Sequence, residues 1–100
     1  METRDKLTDD QVSAKLAALS GWARADVGGK PGISKTFARK NFLDGLAFVT
    51  KVAVLAEKVN HHPDVLLTWP KVTMSLTTHD AGGLTENDFA LAIEIDKVAS

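Results

Sequence analysis

Between Asn41 and Asn60 the chain carries an apolar pattern that commits everything else to covering it. On a helix, Phe42, Leu46, Val49, Ala53 and Ala56 line one side, while Phe48, Val52, Leu55 and Val59 line another. A stripe that wide belongs to the core helix of a small protein. Asn41 supplies the N-cap oxygen. The helix is expected to end near Asn60, because Pro63 pushes His62 out of helical backbone. A chain of 100 residues can bury one modest core and is expected to form one domain over residues 1–100.

The flanking segments show how that helix is covered. Thr8 reads as an N-cap, with Gln11 completing a capping box and Leu7 stapling to Val12. Val12, Leu16 and Leu19 continue one stripe until Ser20-Gly21 stops it. Residues 22–27 form a short strand candidate, and Gly28-Gly29-Lys30-Pro31-Gly32 a hairpin loop whose spacing is not that of a phosphate-binding loop. Residues 33–39 follow as a strand in which Lys35 and Arg39 share a face with Ile33 and Phe37.

Beyond the long helix, Asp64–Thr68 is a short strand and Trp69-Pro70 a break. Residues 71–77 alternate, with Val72, Met74 and Leu76 facing in and Lys71, Thr73, Ser75 and Thr77 facing out. Ala81-Gly82-Gly83 is a turn. Thr85 then caps a last helix, with Asp88 at its N3 position and a Leu84–Phe89 staple. The order α-β-β-α-β-β-α predicts an α+β fold, a four-stranded antiparallel sheet with three helices on one face. The last helix carries Leu91, Ile95 and Val98 on one side and Phe89 and Ile93 nearly opposite. Apolar on two sides, it calls for a partner subunit.

Composition narrows the function classes. The 12 basic and 13 acidic residues are mixed along the chain, giving neither a nucleic-acid footprint nor a membrane patch. No cysteine is present, which removes disulfides and thiolate zinc sites and fits a reducing compartment. The charged start has no apolar h-region, so no signal peptide is expected. The longest apolar run, 52–56, is too short to span a bilayer. A soluble, cytoplasmic protein is expected.

Three histidines carry the chemistry. His61 and His62 sit side by side where the long helix stops, and His79 follows the last strand. Imidazole exchanges protons near neutrality, with an unperturbed pKa of about 6.5. With Glu57, Asp64, Asp80 and Asp88 nearby, the three could form an acid–base site; equally, they could be surface histidines, with the pair set against a helix C-terminus. A three-histidine zinc site lacks a helical His-x-x-x-His pair. Hydrolase chemistry lacks a cysteine or a serine elbow. Asp88 is explained by helix capping alone. Trp22 and Trp69 serve either as core or edge fillers or as ligand platforms.

Taken together, Phe37, Phe42, Ala47-Phe48, Val52-Ala53, Ala56-Glu57-Lys58, His61-His62-Pro63-Asp64, Val72, Leu76, Thr78-His79, Gly82-Gly83-Leu84-Thr85, Asp88 and Leu91-Ala92 resemble the pterin-4a-carbinolamine dehydratases. The resemblance runs over roughly residues 7 to 98. It implies the fold expected above, assembled as a homodimer or homotetramer. It also implies an activity, removal of water from 4a-hydroxytetrahydropterin to give quinonoid dihydropterin. That step recycles the cofactor of aromatic amino acid hydroxylases such as phenylalanine hydroxylase. No metal, cofactor or prosthetic group is implied. By motif position His61 and His79 are the implied acid–base groups and His62 the central substrate contact, and Glu57 and Asp88 occupy family pocket positions; Trp22 is a further substrate-binding candidate. The family also includes a coactivator of a homeodomain transcription factor, and related domains act as assembly factors, so a non-catalytic module is the alternative. Three positions depart from the family's habit. Val65 and Trp69-Pro70 are expected to reshape the pocket rim, and Arg39 to concern the surface.

Overall fold

A computed structural model of the protein describes residues 5–99. The element order is α1 (Asp9–Ala17), β1 (Ala23–Val27), β2 (Lys30–Ala38), α2 (Phe42–Val59), β3 (Asp64–Thr68), β4 (Lys71–Leu76), a 3₁₀ turn (His79–Ala81) and α3 (Glu86–Ala99). The strands form one antiparallel sheet in the order β1-β2-β4-β3. This is the α+β arrangement expected from the sequence.

The sheet's two faces follow its alternation. Ile33 and Phe37 of β2 and Val72, Met74 and Leu76 of β4 point to the helices and are buried. The other face carries cross-strand hydroxyl pairs, Ser34 with Ser75 at 3.1 Å and Thr36 with Thr73 at 2.9 Å. Helix α2 lies on the apolar face through Gly45, Phe48, Val52 and Ala56, a seam drawn from both sides of the wide stripe. Gly45 permits the approach, since a Cβ there would stand 2.8 Å from Leu67 Cδ1. Phe48, only 1% exposed, packs 4.9 Å centroid to centroid from Phe37. Its truncation to alanine would cost about 3–5 kcal/mol. Of the rest of the stripe, Val49 and Leu55 pack partly buried against that core, while Phe42, Leu46 and Val59 stay exposed.

Local signals act at both ends of the chain. Thr8 and Gln11 form the reciprocal capping box of α1, with Leu7 and Val12 buried behind it. In α3, Phe89, Leu91, Ala92 and Ile95 are buried and Ile93 is exposed. Phe89 therefore belongs to the chain's own core, contrary to its assignment to a second face, and Ile93 alone holds that outer position.

Three details differ from expectation. The β1–β2 loop is only Gly28-Gly29, both at positive φ (60° and 83°), a two-residue hairpin turn that matches strand twist. Lys30, Pro31 and Gly32 already pair with β1. Thr77 is buried rather than outward, its hydroxyl donating to Pro31 O at 2.7 Å. Arg39 is no surface residue. Its guanidinium lies 4.7 Å from the Phe48 ring centroid, pairs with Asp44, and donates to Ala99 O at 2.9 Å. A cation just past the end of β2 and turned toward the core is tolerated because its stem covers apolar surface while its head finds partners at the rim. Lys35 does the same, 4.8 Å over Phe37 and 2.9 Å from Asp96.

Candidate active site

The end of α2 aims the paired histidines. Asn60 takes the left-handed conformation (φ 53°, ψ 45°), and the N–H groups of Asn60 and His61 both donate to Ala56 O. This cap ends the helix before the proline acts. The reversal carries His61 toward the start of α3. There its Nε2 stands 2.6 Å from Asp88 Oδ1. His62 stays half exposed, and its Nε2 contacts Glu57 Oε2, one turn back on α2, at 2.5 Å.

Asp88 is fully buried, yet every oxygen is occupied. Besides His61, it accepts from the Thr85 N–H at 2.9 Å and the Thr78 hydroxyl at 2.8 Å, both on Oδ2. The capping role expected from sequence is present, and the same carboxylate reaches across to His61. An ionised Asp88 can only accept, so a neutral His61 facing it carries its proton on Nε2, with Nδ1 as the atom that can take another. That orientation is the chemical consequence of burying an acid under a histidine.

His79 arrives from the opposite side. It opens the 3₁₀ turn after β4, a turn closed by paired hydrogen bonds between Thr78 and Gly83 and by Gly82 N–H to His79 O. Its ring is exposed and lies beside the β1–β2 hairpin, where a Cβ on Gly28 would be 3.3 Å from His79 Cε1. The three histidines thus line one open cleft of about 250 Å³, together with Asn60, Thr78 and Asp80. Two smaller hollows of about 150 Å³ border it. One lies between α2 and α3 and shares His61; the other holds Val65, Glu57 and His62.

The remaining candidates lie elsewhere in this chain. Trp22 is buried, packs edge-on against Phe37, and donates its indole N–H to Asp96, eight residues beyond Asp88 on α3, about 12 Å along the helix. Trp69 is exposed in the β3–β4 turn, five residues and about 17 Å along the strand from Asp64. Val65 shares a hollow with Glu57 and His62, whereas Trp69 stands at the sheet's far end. Sequence reasoning missed Thr78 as a site residue. Its position directly before His79 was the available signal. Among the described residues, no three His, Cys, Asp or Glu side chains come close enough together to hold a metal ion. No described helix is long and apolar enough to cross a membrane.

Fold and cleft together define a small α+β protein with an imidazole-rich pocket backed by a buried acid. The family model described as pterin 4 alpha carbinolamine dehydratase matches residues 5–98, and the chain belongs to that family. A relative from Roseiflexus sp. (strain RS-1), named "Putative pterin-4-alpha-carbinolamine dehydratase", is 50% identical over 93% of this chain and 96% of its own. One of the same name from Rhizobium johnstonii is 47% identical over 96% of this chain and 93% of its own. The crystal structure of a transcriptional coactivator/pterin dehydratase from Brucella melitensis superposes with a TM-score of 0.86 at 32% identity, over 96% of this chain and all (100%) of that one. A pterin dehydratase-like protein described as a RuBisCO assembly factor in the alpha-carboxysome gives 0.65 at 26% identity, over 80% of this chain and 90% of its own.

Proposed function

We propose that this protein dehydrates 4a-hydroxytetrahydropterin to quinonoid dihydropterin through histidine acid–base catalysis. The observation that carries the proposal is the convergence of His61, His62 and His79 on one cleft, with His61 held by the buried Asp88. The reaction breaks the C4a–O bond. A proton delivered to the hydroxyl lets it leave as water, and a ring nitrogen gives up a proton to a base, so atoms and charge balance without a redox partner. His61, with Nδ1 free to accept, is the base; His79 is the acid that protonates the departing hydroxyl. His62, steadied by Glu57, contacts the pterin. Asp88 acts through His61, and Trp22 has no part in this scheme.

Pockets for small molecules run upward from about 300 Å³. An open cleft of about 250 Å³ suits one flat bicyclic ring better than an extended cofactor. Assembly as a homodimer or homotetramer, a cytoplasmic setting and a link to phenylalanine hydroxylase belong to the same proposal.

The test is the decay of 4a-hydroxytetrahydropterin with and without protein, repeated for His61→Ala, His62→Ala and His79→Ala and with a metal chelator. His61→Ala and His79→Ala should each lower kcat by about 10²–10⁴. The double change should cost less than the product of the two. His62→Ala should raise KM at least as much as it lowers kcat, and chelation should change nothing. No acceleration by the native protein would refute the proposal.

A second reading, a non-catalytic assembly or coactivator module, is favoured by the exposed Phe42, Leu43, Leu46 and Val54 on α2. Large apolar groups left in solvent mark contact surfaces. Such a module would leave pterin decay unchanged.

A further inference from the structure

His61 and His79 come from different ends of the fold, and one buried junction ties them together. Asn87 N–H donates to Thr85 Oγ1 at 3.3 Å. Thr85 Oγ1 and Thr78 Oγ1 are 2.9 Å apart, and Thr78 Oγ1 donates to Asp88 Oδ2 at 2.8 Å. The carboxylate fixes the direction of the whole chain. Thr78 must spend its proton on Asp88, so Thr85 donates to Thr78, and each bond polarises the next. The other oxygen of Asp88 holds His61. Thr78 is also the residue whose backbone closes the turn that begins with His79.

We propose that Thr78 is a positioning residue whose hydroxyl sets the geometry of both imidazoles at once. Through Asp88 it tunes the grip on His61, and through the chain it anchors His79. The inference rests on the assignment of those two histidines as the acid–base pair. A methyl in place of the hydroxyl leaves Oδ2 with one donor fewer and concentrates the carboxylate's charge toward His61. The same change removes the side-chain tie from the segment that carries His79, leaving only backbone bonds such as those to Gly83 to hold it.

The test compares Thr78→Val, which keeps the branched shape, with Thr78→Ser, which keeps the hydroxyl. Thr78→Val should lower kcat/KM about tenfold, while Thr78→Ser should stay within about twofold of native. In a His79→Ala background, Thr78→Val should cost less than about threefold, because its effect passes partly through the missing ring. Imidazole ¹H–¹⁵N spectra give an arm that needs no turnover. The His61 Nε2 proton should move downfield in Thr78→Val and return in Thr78→Ser. Thr78→Ala is run beside them in case the valine variant does not fold. A His61 signal unmoved in the valine and alanine variants, or a serine variant as impaired as valine, overturns the inference. A native protein without dehydratase activity refutes the proposed function instead, and the spectra still decide the role of Thr78.

Discussion

Asp88→Asn is the most informative single perturbation, because it replaces one oxygen by a donor of the same size. The carboxylate now accepts three hydrogen bonds, one on Oδ1 and two on Oδ2. Placed on the Oδ2 side, the new NH₂ would confront the Thr85 N–H, which cannot turn away. Placed on the Oδ1 side, it confronts only His61 Nε2–H, and imidazole can move its proton to Nδ1. The second arrangement costs less, so His61 is forced into the opposite tautomer and Nδ1 can no longer accept. Each of the three bonds also falls from charge-assisted to neutral, about 1 kcal/mol apiece. Relief from burying a charge offsets part of that. The expected net destabilisation is about 1–3 kcal/mol, and each kcal/mol shifts Tm by about 4–8 °C in a domain of this size. The larger consequence is kinetic. With the proposed base in the wrong tautomer, kcat should fall by about 10²–10⁴ while KM changes little. Thermal melting, pterin kinetics and imidazole ¹⁵N shifts would measure the three effects on one sample. Native kcat in a folded variant whose His61 proton has moved to Nδ1 would refute the assignment of His61 as the base.

Four further outcomes are expected. Gly28→Ala should slow turnover more than Gly29→Ala: both place a side chain at positive φ, but only the former meets His79, at 3.3 Å, and kinetics normalised to folded protein separate the two. Phe89→Asp should unfold the chain, since that ring is 3% exposed, by circular dichroism. Ile93→Asp, at an outer position 44% exposed, should keep the fold within a few degrees in Tm, and a shift to monomer in sedimentation would locate a subunit contact on α3. The Asp44 carboxyl is held below its ordinary value of 3.8, first by the Lys40 N–H and then by Arg39. A depressed acid adds stability above its unfolded value and loses it as pH falls through the folded one, so the native-minus-Asp44→Asn difference in urea denaturation should be largest near neutrality and shrink below pH 3.8.

Much of this protein was legible in its order of residues because the signals involved are local. Thr8 with Gln11, Asn41 and Thr85 mark helix starts through bonds spanning a few residues, and the alternation of Val72, Met74 and Leu76 names the buried face of β4 without reference to any neighbour. The histidine positions were legible too, as residues at element ends. What each histidine meets was not. His61 and Asp88 are 27 residues apart, and the contact exists because a left-handed Asn60 turns the chain end of α2 onto the start of α3. Asp88 looked like a cap from its spacing, and it is one, but only packing could show that its second oxygen reaches an imidazole. Arg39 and Trp22 mark the limit from the other direction. Arg39 was expected at the surface and Trp22 either in the core or at the pocket, and only the long-range partners, Ala99 and Asp96 on α3, decided where each lies. Local bonds are written in adjacent residues; which distant side chain satisfies a polar group is decided only when the helices close over the sheet.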